Sequence, residues 1–283
     1  MEFGKVTKMT NEKYHSKEMQ GFISKGDLDL INKAPYIYKD KLDGKYKVEV
    51  TDAMALGSFF HTLVLEPELA VDYISDKKAV AYGSRATKAY KEALEGLKTQ
   101  NPGKTIIKAE DYKTCEIMLE ALRDNKLACS LLSNGIAEQT YLWNSNGTPC
   151  KCRPDYLVEF NDKLLAIDIK TTKDAKQFER AIANFRYHVQ AGHYTEGIQE
   201  IEGREVMFIF IVQEKEYPFG NRIIALNDMT LELGVKARLE NLNTLRKCQE
   251  TSHWPKYEKT DKPEIEIVDV PNWAFYNFEF DRK

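Results

Sequence analysis

The 283-residue sequence contains no run of 18 apolar residues, and so offers no membrane-spanning helix. No apolar N-terminal segment precedes a cleavage-like site. The expectation is therefore a soluble, cytoplasmic protein with no membrane partner. Cysteine is sparse: Cys115, Cys129, Cys150, Cys152 and Cys248 form an odd, scattered set without a secretory disulfide framework. Cys150 and Cys152 stand closer together than zinc-knuckle ligands and no second pair follows, so packing within a strand is the expected role. An excess of one charge is also missing. With 41 Lys and Arg against 44 Asp and Glu, the net charge is −3. That excludes a surface coated in positive charge but leaves room for a small basic groove. There is no internal repeat, low-complexity linker or helicase-type phosphate loop.

What is present suits a real core: 42% of residues are hydrophobic and 30% charged, a mixture neither disordered nor fibrous. After a polar start, residues 17–40 read as a short helix that Ser24 or Asp27 could cap, with Pro35 soon after its end. Residues 52–66 form a firmer helix closed by Pro67. Residues 76–99 and 109–132 read as two surface helices divided by the turn at Asn101–Gly103. The period then changes, giving strands at 137–143, 150–160 and 163–170. A helix over 174–200, an apolar strand over 205–213, a shorter strand over 222–226 and an amphipathic helix over 229–249 follow. An irregular tail is expected to carry one strand at Ile265–Val270. This order predicts one α/β unit over residues 1–283 with a helical N-terminal portion.

The stretch RPDYLVEFNDKLLAIDIKTT, Arg153 to Thr172, carries the chemistry. A two-residue turn at Asn161–Asp162 places Asp155 opposite Asp168, and one at Asn146–Gly147 places Glu138 opposite Asp155. The three acids would then form a row across three strands, their side chains about 5 Å apart. Lys170 shares a face with Asp168, because strands repeat every two residues. Pro149 and Pro154 signal irregularities that could shift the row. Carboxylates gathered this way repel unless a cation compensates, and Mg²⁺ or Mn²⁺ does so through oxygen ligands. Lys170 suits the positioning of an attacking water or the offsetting of charge on a phosphate. A plain polar hairpin face is the competing reading, but Asp168 interrupts LLAIDIK, where its neighbours call for burial.

Two helices add to this. His61 lies one turn beyond Gly57 and Ser58, and is either a core histidine or a nitrogen ligand to the same metal. Gln190 and Tyr194 share a face one turn beyond Arg186 and Tyr187. With Arg180, Lys176 and Lys173 they offer a stripe to a phosphate backbone, although tyrosines used for packing look similar. His188 and His193 are spaced unlike a paired ligand set and read as structural.

Taken together, these residues resemble the PD-(D/E)xK nuclease superfamily: Pro154-Asp155, then Asp168-Ile169-Lys170. ALGSFFHTLVLEPE resembles its histidine helix, QAGHY the Q-x-x-x-Y motif of the RecB-like branch, and FISKGDLDLINKAPYIYK the start of the phage exodeoxyribonuclease VIII (RecE)-like catalytic domain. The likeness covers residues 20–215, leaving 216–283 as a strand–helix–tail extension. It implies a restriction-endonuclease-like core, a central mixed β-sheet flanked by helices. It also implies His61, Asp155, Asp168 and the Ile169 carbonyl as metal ligands, Lys170 as catalytic lysine, Glu138 as an accessory acid, and Gln190 and Tyr194 as orienting residues. The implied activity is Mg²⁺-dependent digestion of linear double-stranded DNA, 5′→3′, beside a single-strand annealing protein in phage-type recombination. A homo-oligomeric ring could enclose the DNA. An endonuclease with the same chemistry and an inactive DNA-binding scaffold are the alternatives. Gly26 and Ala34 stand where relatives often have serines, so a phosphate contact there is in doubt. With only Cys248 beyond Gln190, a four-cysteine iron–sulfur cluster is not expected.

Overall fold

The computed structural model of the protein describes residues 2–47, 51–257, 265, 267–271 and 275. The chain opens with strand β1 (Gly4–Val6) and the one-turn helix α1 (Asn11–Tyr14). Helices α2 (Lys25–Lys33) and α3 (Pro35–Leu42) follow where one helix was expected. Ser24 caps α2 in a reciprocal capping box with Asp27, whose carboxylate accepts the Ser24 N–H at 2.9 Å. Extended backbone at Ala34 separates the two, and Pro35 starts α3 because its ring suits the first helical position. Helix α4 (Asp52–Leu65) is capped by Thr51 and stops before Pro67.

Strand β2 (Tyr73–Ser75), helices α5 (Lys77–Val80) and α6 (Lys88–Gln100) and strand β3 (Thr105–Ile107) make a small lobe, β2 pairing in parallel with β3. The single helix expected over 76–99 is interrupted: Gly83 takes φ +140°, and Thr87 then caps α6 afresh. The helix expected over 109–132 is likewise two, α7 (Ala109–Arg123) and α8 (Lys126–Leu131), because the Asn125 side chain recaps the chain.

Beyond lie strands β4 (Ile136–Ala137), β5 (Thr140–Ser145), β6 (Thr148–Cys152), β7 (Tyr156–Phe160) and β8 (Lys163–Thr172). Helices α9 (Phe178–Asn184) and α10 (Tyr187–Glu202), strands β9 (Val206–Glu214) and β10 (Asn221–Ala225), and helix α11 (Asp228–Thr251) complete the order. Both hairpin registers follow from their turns, with Tyr156 paired to Ile167 and Tyr141 to Cys152. The strands expected at 137–143 and 150–160 are, however, each cut in two. Glu138 adopts a left-handed φ of +53°, and Pro154 lacks the N–H that a continuous ladder needs. The halves enter different sheets, β1-β5-β6 and β10-β9-β8-β7-β4. Arg186, also left-handed at φ +53°, breaks the helix expected over 174–200. The strand expected at Ile265–Val270 includes Glu266, outside the described residues; its described neighbours are not in a strand.

The larger sheet is mixed, since β8 and β9 run parallel and the other pairs antiparallel. Alternation along β8 sends Leu164 and Ala166, with Phe208, Phe210 and Val212, into a core with α2, α9, α10 and α11. Leu165, Ile167 and Ile169 face the opposite core with Leu56, Phe59 and Phe60 of α4 and Met118 of α7. This is the expected α/β arrangement, a mixed sheet flanked by helices with a helical N-terminal portion. Helix α11 crosses α10 at two glycines: a Cβ on Gly192 would come within 2.7 Å of the Val235 nitrogen, and one on Gly234 would collide with the His188 carbonyl.

Candidate active site

The β7–β8 ladder ends at Tyr156 and Ile167. One residue further out the chain bends, and the Asp155 side chain takes over the role of strand backbone, its Oδ2 accepting the Ile169 N–H at 2.6 Å. Helix α4 lies over this open end, close enough that a Cβ on Gly57 would sit 3.8 Å from Thr171 Oγ1. His61, one turn later, brings Nδ1 within 3.4 Å of Asp155 Oδ2, and its Nε2 donates to the Ile169 carbonyl at 2.7 Å. His61, Asp155 and Ile169 thus meet at one point.

Asp168 and Lys170 continue the face of β8 that looks toward α10. Buried Asp168 accepts the Gln190 amide on Oδ1, and its Oδ2 is in ion-pair contact with the Lys170 ammonium. The Lys170 Nζ also lies 4.8 Å from the centre of the Tyr187 ring. Tyr194 sits one turn beyond Gln190 and packs edge-on against Phe208, with ring centres 5.6 Å apart. It forms a wall of the core beside the site.

Glu138 does not stand in the expected row. It occupies the left-handed joint between β4 and β5, where its N–H donates to the Asp155 carbonyl at 3.0 Å and its carboxylate pairs with Arg153 at 2.6 Å. Arg153 in turn donates to Asn11 at 2.7 Å and stacks on the Tyr14 ring at 4.3 Å. His61, Glu138 and Arg153 line one cleft of about 500 Å³ together with Asn11, Ser58 and Tyr73.

Other parts of the sequence reading need correction. Arg186 is not free for a phosphate backbone, because it is bound to Asp29, the Leu28 carbonyl and Asn241 at 3.0, 3.2 and 2.6 Å. His188 and His193, by contrast, keep the structural reading, held by the main-chain carbonyls of Ile182 and Lys151. Sequence reasoning missed three residues that frame the site: Arg153, Tyr14 and Lys25, whose Nζ lies 5.5 Å from the Tyr187 ring centre. Arg153 adjoins the Pro154-Asp155 motif, a signal that was available. Tyr14 and Lys25 arrive through long-range packing.

Burial, and next the charge of Asp168, push the Asp155 carboxyl up to about 6. Burial lifts Glu138 to about 7 despite Arg153. Burial works against the Lys170 ammonium, but Asp168 and Asp155 together hold it above the usual lysine range. The site is therefore short of positive charge. Among the described residues no three His, Cys, Asp or Glu side chains form a ready-made metal cage. The donors still suit a hard cation, since Mg²⁺ is commonly held by one or two carboxylates and completes its shell with water and phosphate oxygens. Two carboxylates, a carbonyl and an imidazole fit that pattern by the chemistry of their donors.

The sequence profile of a PDDEXK-like domain of unknown function (DUF3799) matches residues 10–264. Among solved structures, a crystal structure from Eubacterium rectale named "Putative exonuclease" is 14% identical, with TM-score 0.63 over 96% of this chain and 99% of its own. That likeness is one of fold. A second structure, named SSO0001, is 18% identical over 67% of this chain and 86% of its own, with a TM-score of only 0.30. No curated protein matches in sequence.

Proposed function

The chain belongs to the PDDEXK-like family DUF3799, and from that membership and the geometry of the site we propose that it is a metal-dependent deoxyribonuclease. The observation that carries the reading is two buried carboxylates close enough for the charge of Asp168 to act on Asp155, with Lys170 against Asp168 and His61 against Asp155. The resemblance to exodeoxyribonuclease VIII-like domains supports the finer reading: Mg²⁺ as cofactor with Mn²⁺ as substitute, linear duplex DNA as substrate, and 5′→3′ digestion in phage-type recombination.

Asp155, Asp168, the Ile169 carbonyl and His61 would hold the ion. When bound, it supplies Lewis-acid stabilisation of a nonbridging phosphate oxygen and lowers the pKa of an attacking water. Lys170 keeps its proton and offsets charge that develops on the phosphate. Gln190 fixes the orientation of Asp168 through its amide. Tyr187 holds the Lys170 ammonium from below. No helix among the described residues is long and apolar enough to cross a membrane, in keeping with a substrate met in solution.

The test is digestion of linear duplex DNA with added Mg²⁺. Asp168→Asn and Lys170→Met should each lower the rate by roughly 100-fold or more, the scale of losing one preorganised electrostatic group. Normal rates in both variants would reject the site. Covalently closed circular DNA resists an end-dependent exonuclease, so its cleavage would assign an endonuclease.

A further inference from the structure

The lobe inserted between α4 and α7 carries a charge pattern unlike the rest of the chain. Residues 77–91 hold Lys77, Lys78, Arg85, Lys88 and Lys91 and no Asp or Glu, in a protein where acids outnumber bases by 44 to 41. Of these cations Arg85 is committed to structure. It donates to buried Asp76 at 2.8 Å and to Glu110 at 2.6 Å, while Asp76 also accepts the Tyr90 hydroxyl at 2.8 Å and the Ala109 N–H at 2.7 Å. This cluster, buried at Asp76 and Tyr90, anchors the lobe to the start of α7. Lys88 has Glu92 3.6 Å away. Lys77, Lys78 and Lys91 are exposed and make no ion pair among the described residues. Between them protrude Tyr82, 69% exposed, and Val80, 39% exposed.

Position matters as much as charge. Tyr73 of β2 and Thr105 of β3 line the cleft that holds His61, Glu138 and Arg153. Lys77, at the start of α5, follows Tyr73 of that cleft wall by four residues in the chain. Lys78 and Tyr82 then border a second hollow of about 400 Å³ against Ala89 and Glu92 of α6.

We propose that this lobe is a second nucleic-acid contact, in which Lys77, Lys78 and Lys91 hold the phosphate backbone of duplex DNA outside the catalytic cleft. The proposal rests on the nuclease reading for the identity of the partner. Exposed lysines with no ion pair among the described residues match the phosphate backbone of a duplex. Such contacts read no sequence, and they release counterions on binding. They would add affinity and hold the enzyme on its substrate between cuts while contributing nothing to the chemical step.

The test compares the full chain with a Lys77→Ala, Lys78→Ala, Lys91→Ala triple variant, using a fluorescent short blunt duplex in EDTA over a range of KCl concentrations. Three lost phosphate contacts should reduce the slope of log affinity against log salt by about 2.7, and weaken binding near 0.1 M salt by roughly 10- to 500-fold. The corresponding Lys→Arg triple variant should restore both. The Mg²⁺-dependent rate at saturating DNA should stay within about twofold of the parent, since no substituted residue touches the site. An unchanged slope and affinity in the alanine variant overturns the proposal. So does a loss confined to phosphatidylserine vesicles, which would make the lobe a lipid-binding surface. If the unmodified chain itself bound no DNA, the nuclease reading would fail as well, an outcome distinct from an unchanged variant.

Discussion

Asp155→Asn should make the metal-free protein more stable while abolishing its activity. Burial and the neighbouring Asp168 lift the Asp155 carboxyl from 3.8 to about 6 in the folded chain. Holding that group ionised at pH 7 therefore costs the folded state about 3 kcal/mol relative to the unfolded chain. Below pH 3.8 both states are protonated and the cost vanishes. Between 3.8 and about 6 the folded chain keeps a proton that the unfolded chain has released, so stability drains away as pH rises; above that window the full cost persists. Asparagine retains an oxygen to accept the Ile169 N–H but carries no charge. Its amide N–H groups must find partners beside His61, which reduces the expected gain to about 1–3 kcal/mol. Urea unfolding in EDTA, run from pH 4 to pH 7.5, should show the stability gap between variant and parent opening across that window and then levelling. Millimolar Mg²⁺ should stabilise the parent and close much of the gap, because only the parent retains both carboxylates. A gap that ignores pH, or a variant less stable than the parent at pH 7, would refute the argument that Asp155 is held at a cost.

Three further outcomes follow from single positions. Gln190→Ala frees the Asp168 carboxylate without touching substrate, so the Mg²⁺ dependence of the rate should shift to higher concentration and activity should fall roughly 10- to 100-fold, within the range for a lost outer-shell partner. Gly234→Ala forces a methyl into the His188 carbonyl where α10 and α11 cross, and should destabilise by at least about 3 kcal/mol in urea unfolding. By contrast Gly96→Ala, in α6 with nothing within 4 Å of its Cβ, should stabilise by about 0.5–1 kcal/mol.

Much of the local architecture could be read in advance because it is local. Asn161–Asp162 and Asn146–Gly147 are turn pairs with positive φ at every position, and they set both hairpin registers. The alternation of β8 placed Asp168 and Lys170 on one face and the isoleucines on the other. What escaped is where the backbone leaves regular structure. Glu138 and Arg186 both sit at left-handed φ, a conformation that neither side chain favours and no short-range pattern announces. Tertiary packing imposes it, and the row of three acids failed for that reason. Pro154 was a visible warning of the same break. Tyr14 and Lys25 approach the site from more than 100 residues away in sequence, where periodicity carries no information.

The break at Pro154 also links the site to the N-terminal segment. Lys151, Arg153 and Asp155 are spaced two apart along the chain, yet they serve different ends. The buried Lys151 ammonium donates to the Tyr14 and Met19 carbonyls at 2.8 and 3.0 Å, and burial lowers its pKa to about 8. Arg153 stacks on the Tyr14 ring and pairs with Glu138. Asp155 then turns to Ile169 and His61. A buried ammonium is retained only where its donors are satisfied, so Lys151 ties this connection to the N-terminal segment. The carboxylate at the centre of the site is thus positioned from both directions. The β7–β8 hairpin holds Asp155 beside Ile169, and the N-terminal segment reaches the same connection through the contact of Tyr14 with Arg153. A strand running straight through Pro154 would have given Asp155 an ordinary cross-strand neighbour. The interruption is what leaves the Ile169 main chain exposed to a side chain and to the histidine above it.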